Sequence, residues 1–445
     1  MSRSIELRPI LNRTPLGRYR WQVVLSCWLI AVLDGFDVQS MAFVAPVLAP
    51  LWQIPKAVMG QVLTAGVVGL LIGSLLAGRL CDRYGRRPVL LGAVLLVSAG
   101  SLLSSLAGDV TQLIVTRVLT GIGLGGVMVA CLSLTAEYAP DSARASVVIA
   151  MYVGFPIGGS LAGLLAAPLI QQFGWQAVFV VGGIAPLVLI AILWRFIPES
   201  LRFSALAGAA PERIGAIVSR IAPEYSYQPG DRFIVEQAPE ARASLAQLFA
   251  NGRSLGTVLF WFICFANLLV LYLLINWLPS ILKQAAASQA AANLAAVMFN
   301  VGGILGAVAL GRAADKLGAV RTLTAAYFLA AITVWLLARS GGGSVLAVIA
   351  LAGAGVMGAQ FCVTAVVTAF YPTEIRSTGV GAALGFGRVG SLAGPLLGGW
   401  ALGTGMPPAQ IFVLLAIPML ACGLATLLLS SAFGSRRVVE QPGVA

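Results

Sequence analysis

Long apolar runs separated by short polar stretches recur from one end of the chain to the other. They cover about 20–50, 57–78, 89–107, 111–138, 145–171 and 175–197, and, after a longer polar stretch, 254–281, 290–311, 322–338, 344–371, 377–403 and 408–431. Each is long enough to cross roughly 30 Å of hydrocarbon as a helix. In lipid only helices and closed barrels satisfy their own backbone. Barrel strands would alternate in polarity over segments of about ten residues; these runs are continuous. The pattern therefore predicts an all-α membrane protein with twelve transmembrane helices. The first run follows Arg18 and Arg20, carries two aspartates and has no A-x-A exit, so it is expected to be a span and not a cleaved leader.

Composition agrees. Of 445 residues, 59% are apolar and 10% charged, against roughly a quarter charged in soluble domains. The formal charge of +12 raises the question of nucleic acid, but no Lys/Arg block interleaves with aromatics. The basic residues instead follow a topology. With both termini cytoplasmic, only Lys56, Lys283 and Arg339 lie outside, and Arg117 and Arg388 fall within spans; the other 23 of 28 lie at the cytoplasmic side, as the positive-inside rule requires. An inner-membrane location is expected. Histidine is absent and the six cysteines form no C-x-x-C pair. That excludes histidine triads and argues against disulfide or metal frameworks, and no cofactor is expected. Proton chemistry must ride mainly on carboxylates.

The two halves repeat. Residues 78–85, GRLCDRYG, align with 311–318, GRAADKLG, and 135–138, TAEY, with 368–371, TAFY, both at an offset of 233; GSLAG recurs at 159–163 and 390–394. Two six-helix bundles related by a parallel repeat, with a site near the midplane where they meet, is a transporter architecture. The expected division is 1–197, a cytoplasmic linker 198–253, and 254–445. The linker holds six acids and six arginines. Ile214, Ile217, Val218 and Ile221 have amphipathic helical spacing and predict a short helix lying on the bundle or membrane surface.

Several polar residues stand out against this apolar background. Asp34 and Asp37 share one face of the first span, and two neighbouring carboxylates ionise together only with a compensating cation. Arg117 in the fourth span lies at a depth similar to Asp34. A buried arginine is a functional residue by default, with an inert ion pair as the plainer reading. Arg388 has isoleucine at the related first-half position and no acid in its own span. Its partner is either a substrate carboxylate, held bidentately, or an internal group such as Asp34 or Asp37. Asn267, Asn276 and Gln360 are isolated polar groups suited to hydroxyls; Asn267 is Asp34 plus 233. Phe36, Tyr152, Phe155, Phe265, Tyr272, Trp277, Phe361 and Phe386 are the rings available to clasp an aromatic substrate, although most membrane aromatics are packing or belt residues. Gly78 is read as a site of close helix approach and Gly85 as a tight turn. Asp82 is read as a helix cap or a partner for an arginine across the halves. Glu137, beside the Asp141–Arg144 loop, is assigned to a gate network. Pro198-Glu199-Ser200 reads as a helix terminator.

The loop Gly78-Arg79-Leu80-Cys81-Asp82-Arg83-Tyr84-Gly85-Arg86-Arg87-Pro88 resembles the signature of the major facilitator superfamily, and Arg117 followed by Gly121 and Gly123 resembles its second motif. Asp34-Gly35-Phe36-Asp37 is similar to the Asp-Gly-x-Asp motif of that superfamily's aromatic acid:proton symporters. Tyr371-Pro372-Thr373-Glu374-Ile375-Arg376 extends the likeness into the second half. The resemblance implies import of benzoate- or hydroxybenzoate-like acids with protons by alternating access, for catabolism. Asp34, Asp37 and Arg117 then serve coupling. Gly78, Asp82, Arg83, Gly85, Arg86, Arg87, Glu137, Arg144, Asp315, Glu374 and Arg376 serve the cytoplasmic gate. The second loop lacks the Gly-Arg-Arg ending, so a weaker latch is expected there. The expected partners are a small aromatic acid, protons and the lipid bilayer, with no nucleic acid, and the chain is expected to act as a monomer. A proton-driven exporter of a drug or metabolite is the alternative, although Phe155-Pro156-Ile157-Gly158-Gly159 fits exporter patterns poorly. A membrane-enzyme reading finds no histidine, metal cluster, nucleophile motif or P-loop in the sequence to support it.

Overall fold

A computed structural model describes residues 4–225, 227–228, 231–234, 244–285, 287–340, 344–372 and 375–439. A short strand β1 (Ser4–Glu6) and helix α1 (Leu7–Arg13) precede the first span. The first half follows as α2 (Arg18–Leu51), α3 (Lys56–Tyr84), α4 (Arg86–Ser105), α5 (Val110–Tyr138), α6 (Arg144–Tyr152), α7 (Gly154–Phe173) and α8 (Gln176–Leu193). The connection holds α9 (Leu201–Leu206), α10 (Pro211–Ile221), β2 (Arg232–Ile234) and a 3-10 turn, Leu245–Leu248. The second half is α11 (Ser254–Gln284), α12 (Gln289–Leu317), α13 (Ala319–Leu337), α14 (Ser344–Phe370), α15 (Arg376–Gly403) and α16 (Pro408–Val439). Among the described residues twelve helices are long and apolar enough to cross a membrane, α6 and α7 together making the fifth. The apolar-run pattern located all twelve.

Local chemistry sets the ends. Asp109 and Ser288 accept hydrogen bonds from the backbone N–H of Gln112 and Ala291, capping α5 and α12, as N-cap side chains do. Gly85 and Gly318, 233 residues apart, sit at φ +98° and +92° in the turns before α4 and α13. Side chains rarely enter that region, so glycine is required at both turns.

The chain forms two compact units. The first comprises 1–38, 65–158 and 176–240, the second 39–64, 159–175 and 241–445. In the first, α3 and α5 approach so closely that a Cβ on Gly69 or Gly73 would overlap the carbonyl oxygens of Val118 or Ile122. The amphipathic helix forms as expected: Ile214, Val218 and Ile221 of α10 are buried with Leu7 and Leu11 of α1 in one apolar cluster. Strand β1 pairs in parallel with β2. Arg8 and Asn12 of α1 also hold Asp141 in the loop after α5. The Asn12 hydrogen bond, then the Arg8 charge, keeps that exposed carboxyl below its usual range. The contact is therefore kept through neutral pH and lost only as pH falls through the lowered value.

In the second unit α11 lies against α15. There a Cβ on Gly390 or Gly394 would meet the carbonyl oxygens of Phe265 or Leu269. These two glycines bracket the repeated GSLAG.

Candidate functional site

The charge centre of the first unit is built from α2, α4 and α5. Ser101 donates to one oxygen of Asp37 at 2.7 Å, and Arg117 Nη1 reaches the other at 3.3 Å. Arg117 also donates to Ser104 at 2.7 Å and Thr120 at 3.0 Å, and its guanidinium lies 4.6 Å from the ring centroid of Phe179. Asp37 is 1% exposed and Arg117 4%. Such a pair survives out of water only when the remaining donors and lone pairs are also satisfied, and the two serines and the threonine do that. On α8, Gly182 keeps its side free: a Cβ there would stand 3.0 Å from Ser101 Oγ and 3.3 Å from the Asp37 carboxylate. Depth along the helix matched Arg117 to Asp34; the ion pair is instead with Asp37, one turn further along α2.

Asp34 has a different environment. It is buried and lines two small cavities. The larger has otherwise apolar walls, among them Ile30, Leu33, Val97, Leu124, Val127 and Pro186. The smaller adds Tyr152, Phe155, Met128 and Cys131. The structure thus brings Asp34 together with two of the expected rings. Phe36 is packed inside the same unit, facing Gly182, and lines neither cavity.

In the second unit, Asn267 Nδ2 donates to Gln360 Oε1 at 2.6 Å, joining two expected substrate residues. Arg388 Nη1 stands 3.5 Å from the Tyr272 hydroxyl, joining two more. Asn276 spends its donor on its own helix, at the Tyr272 carbonyl, 2.7 Å away. Trp277 donates its indole N–H to the Pro395 carbonyl at 2.9 Å, a packing role. Phe386 stacks on Trp261 at 5.3 Å and lies 6.0 Å from Phe265. Phe361 is half-buried on α14.

The loop after α3 forms a charge network within the first unit. Asp82 pairs with Arg86 at 3.3 Å, and Arg86 pairs with Glu137 at 3.2 Å. Arg87 donates to the Trp194 carbonyl at 2.7 Å, Arg83 lies over the Tyr84 ring, and Arg144 pairs with Asp141 at 2.6 Å. Three expectations change. The cap on α4 is not Asp82 but Glu199, whose carboxylate accepts from the backbone N–H of Arg86 at 2.8 Å and of Arg87 at 3.2 Å. Glu199 is therefore more than part of a helix terminator. Its neighbour Ser200 bonds Glu137. A Cβ on Gly78 would meet no described atom within 4 Å, because the close approach to α5 lies higher, at Gly69 and Gly73. In the second half, Asp315 is exposed and Arg376 donates to the Tyr371 carbonyl at 3.2 Å. Glu374 lies outside the described residues. Removing the Glu199 cap has a measurable cost: Glu199→Ala is expected to lower stability by about 1 kcal/mol, the usual loss for an N-terminal cap, read as a lower Tm of the purified protein; an unchanged Tm would show the cap to be idle.

Twelve spanning helices in two related halves, with charges buried inside them, define a polytopic membrane carrier. The chain belongs to the Major Facilitator Superfamily, whose family model matches residues 27–286 and 260–443, and so to a family of transporters and not of enzymes. It is 38% identical to the 4-hydroxybenzoate transporter PcaK of Pseudomonas putida over 94% of each chain. It is also 38% identical to the gallate transporter of the same organism, over 99% of this chain and 97% of the relative. To the 3-(3-hydroxy-phenyl)propionate transporter of Escherichia coli it is 36% identical, over 91% and 93%. Among solved structures it resembles the xylose transporter XylE from E. coli in a partially occluded inward open conformation, with a TM-score of 0.70 at 17% identity over 92% of this chain and 97% of that one. That likeness is one of fold.

Proposed function

We propose that this protein imports a small aromatic carboxylate together with protons, by alternating access, across the inner membrane, as a monomer with both termini cytoplasmic. The observation that carries the reading is the substrate named for each of three full-length relatives: 4-hydroxybenzoate, gallate and a hydroxyphenylpropionate. Each is an aromatic ring bearing a carboxylate and at least one hydroxyl. The side chains supply matching chemistry. Arg388, with Tyr272 beside it, takes the carboxylate, and the Asn267–Gln360 pair takes a ring hydroxyl. Asp37 is the fixed counter-charge of Arg117. Asp34, which lines both cavities, is the carboxyl that gains and loses the proton. The Asp82–Arg86–Glu137 network, with Arg83, Arg87, Arg144, Asp315 and Arg376, serves the cytoplasmic gate.

Uptake of labelled 4-hydroxybenzoate, gallate and benzoate into cells or proteoliposomes tests this. Accumulation is expected to collapse with a protonophore and to be driven by an inward proton gradient alone. Transport of none of these acids, or accumulation indifferent to the gradient, would sink the reading.

A further inference from the structure

Two uncharged side chains join the sequence halves within the second unit. Gln39 Nε2 donates to Asn300 Oδ1 at 3.1 Å, and Asn300 Nδ2 returns a hydrogen bond to Gln39 Oε1 at 2.9 Å. Each residue is 1% exposed. The seat is fitted to the pair: a Cβ on Gly159 of α7 would overlap the Gln39 side chain. Asn300 is also tied to its own helix, donating to the Ala296 carbonyl at 3.0 Å.

The pair is the deepest of a series of contacts between first-half and second-half helices of that unit. Nearer the ends of the spans, Lys283 Nζ donates to the Pro46 carbonyl at 3.0 Å and Lys56 Nζ to Gln284 at 3.2 Å. Gly60 of α3 lies against Pro395 and Gly399 of α15. Gln39 and Asn300 stand roughly 18 Å and 16 Å from the ends of α2 and α12, at about 1.5 Å per residue. That places them just beyond Asp37 along α2.

We propose that the Gln39–Asn300 amide pair is the inner latch of the outer gate. The assignment of that end as outer rests on the importer reading above. A neutral pair suits a contact that breaks and re-forms in each cycle. Its net worth is modest, whereas parting a buried ion pair leaves uncompensated charge. Gln39 also follows Asp37 by two residues, so the two side chains leave α2 on different faces. One rigid helix therefore carries both the charge centre and the latch. A shift of α2 driven by a change of charge at Asp34, on the same helix, moves the latch with it.

The test uses the full chain in sealed vesicles with Val297→Cys as reporter. Val297 is 5% exposed and lies on α12 between Asn300 and the nearer helix end. All six native cysteines are buried. The probe is a membrane-impermeant maleimide applied to one face at a time. Gln39→Met and Asn300→Leu each strand the other amide in the closed state, so each is expected to speed labelling from the outer face about tenfold. The double variant removes both amides and is expected to label more slowly than either single. The exchange Gln39→Asn with Asn300→Gln keeps both amides, and is expected to stay near the parental rate. Parental labelling in both singles, or a double whose effect is the product of the two, overturns the latch. Acceleration confined to the cytoplasmic face keeps the latch and overturns the orientation. Absence of uptake by the parent overturns the importer reading and leaves the labelling comparison standing.

Discussion

Arg117→Ala is expected to abolish accumulation and to leave the protein poorly folded, and adding Asp37→Asn should restore folding but not accumulation. The reasoning starts from burial. Asp37 and Arg117 are 1% and 4% exposed and 3.3 Å apart. Removing one partner strands the other charge, which costs about 3–5 kcal/mol in such settings. Neutralising the survivor removes that cost, because an uncharged asparagine keeps the Ser101 hydrogen bond that Asp37 makes. If the pair only stabilised the bundle, the double variant would also transport. Detergent-resistant monodispersity and thermal midpoint report the first half of the expectation; uptake against a gradient reports the second. A double variant that accumulates substrate normally would reduce the pair to a structural element and move coupling to Asp34 alone.

Arg388→Ala is expected to weaken substrate binding about a hundredfold, the loss of the two charge-assisted hydrogen bonds that the proposed carboxylate contact would supply. Lysine keeps the charge but not the planar fork, and a loss of about tenfold is expected for Arg388→Lys. Binding of 4-hydroxybenzoate to purified protein at fixed pH measures both. Asp34→Asn serves as the contrast: it should bind substrate but fail to concentrate it. Wild-type affinity in Arg388→Ala, with loss in Arg117→Ala, would exchange the roles of the two arginines.

The helices were legible because lipid leaves an apolar run few alternatives, and the repeat located both glycine turns. The site was legible in kind more than in pairing. Asp37 and Arg117 stood out as charges in spans, yet the depth estimate matched Arg117 to Asp34. Counting residues gives height along a helix and says little about direction around it. Glu199 caps α4 from 113 residues away, and no local pattern announces such a contact. Gln39 and Asn300 carried the same signal that singled out Asn267 and Gln360, a lone amide in an apolar run. Nothing in the sequence pairs two such amides across 261 residues.

The matched turns at Gly85 and Gly318 bear on which substitutions each half tolerates. Each holds a backbone shape that costs a side chain about 1–3 kcal/mol, so gradual substitution at either position would pass through strained intermediates. The charges around the second turn face no such barrier, and there Ala319-Val320-Arg321 stands where the first loop has Arg86-Arg87-Pro88. The two halves thus share one turn geometry while differing in the charges around it, so a charge exchanged between the two loops should leave the backbone of either turn unstrained.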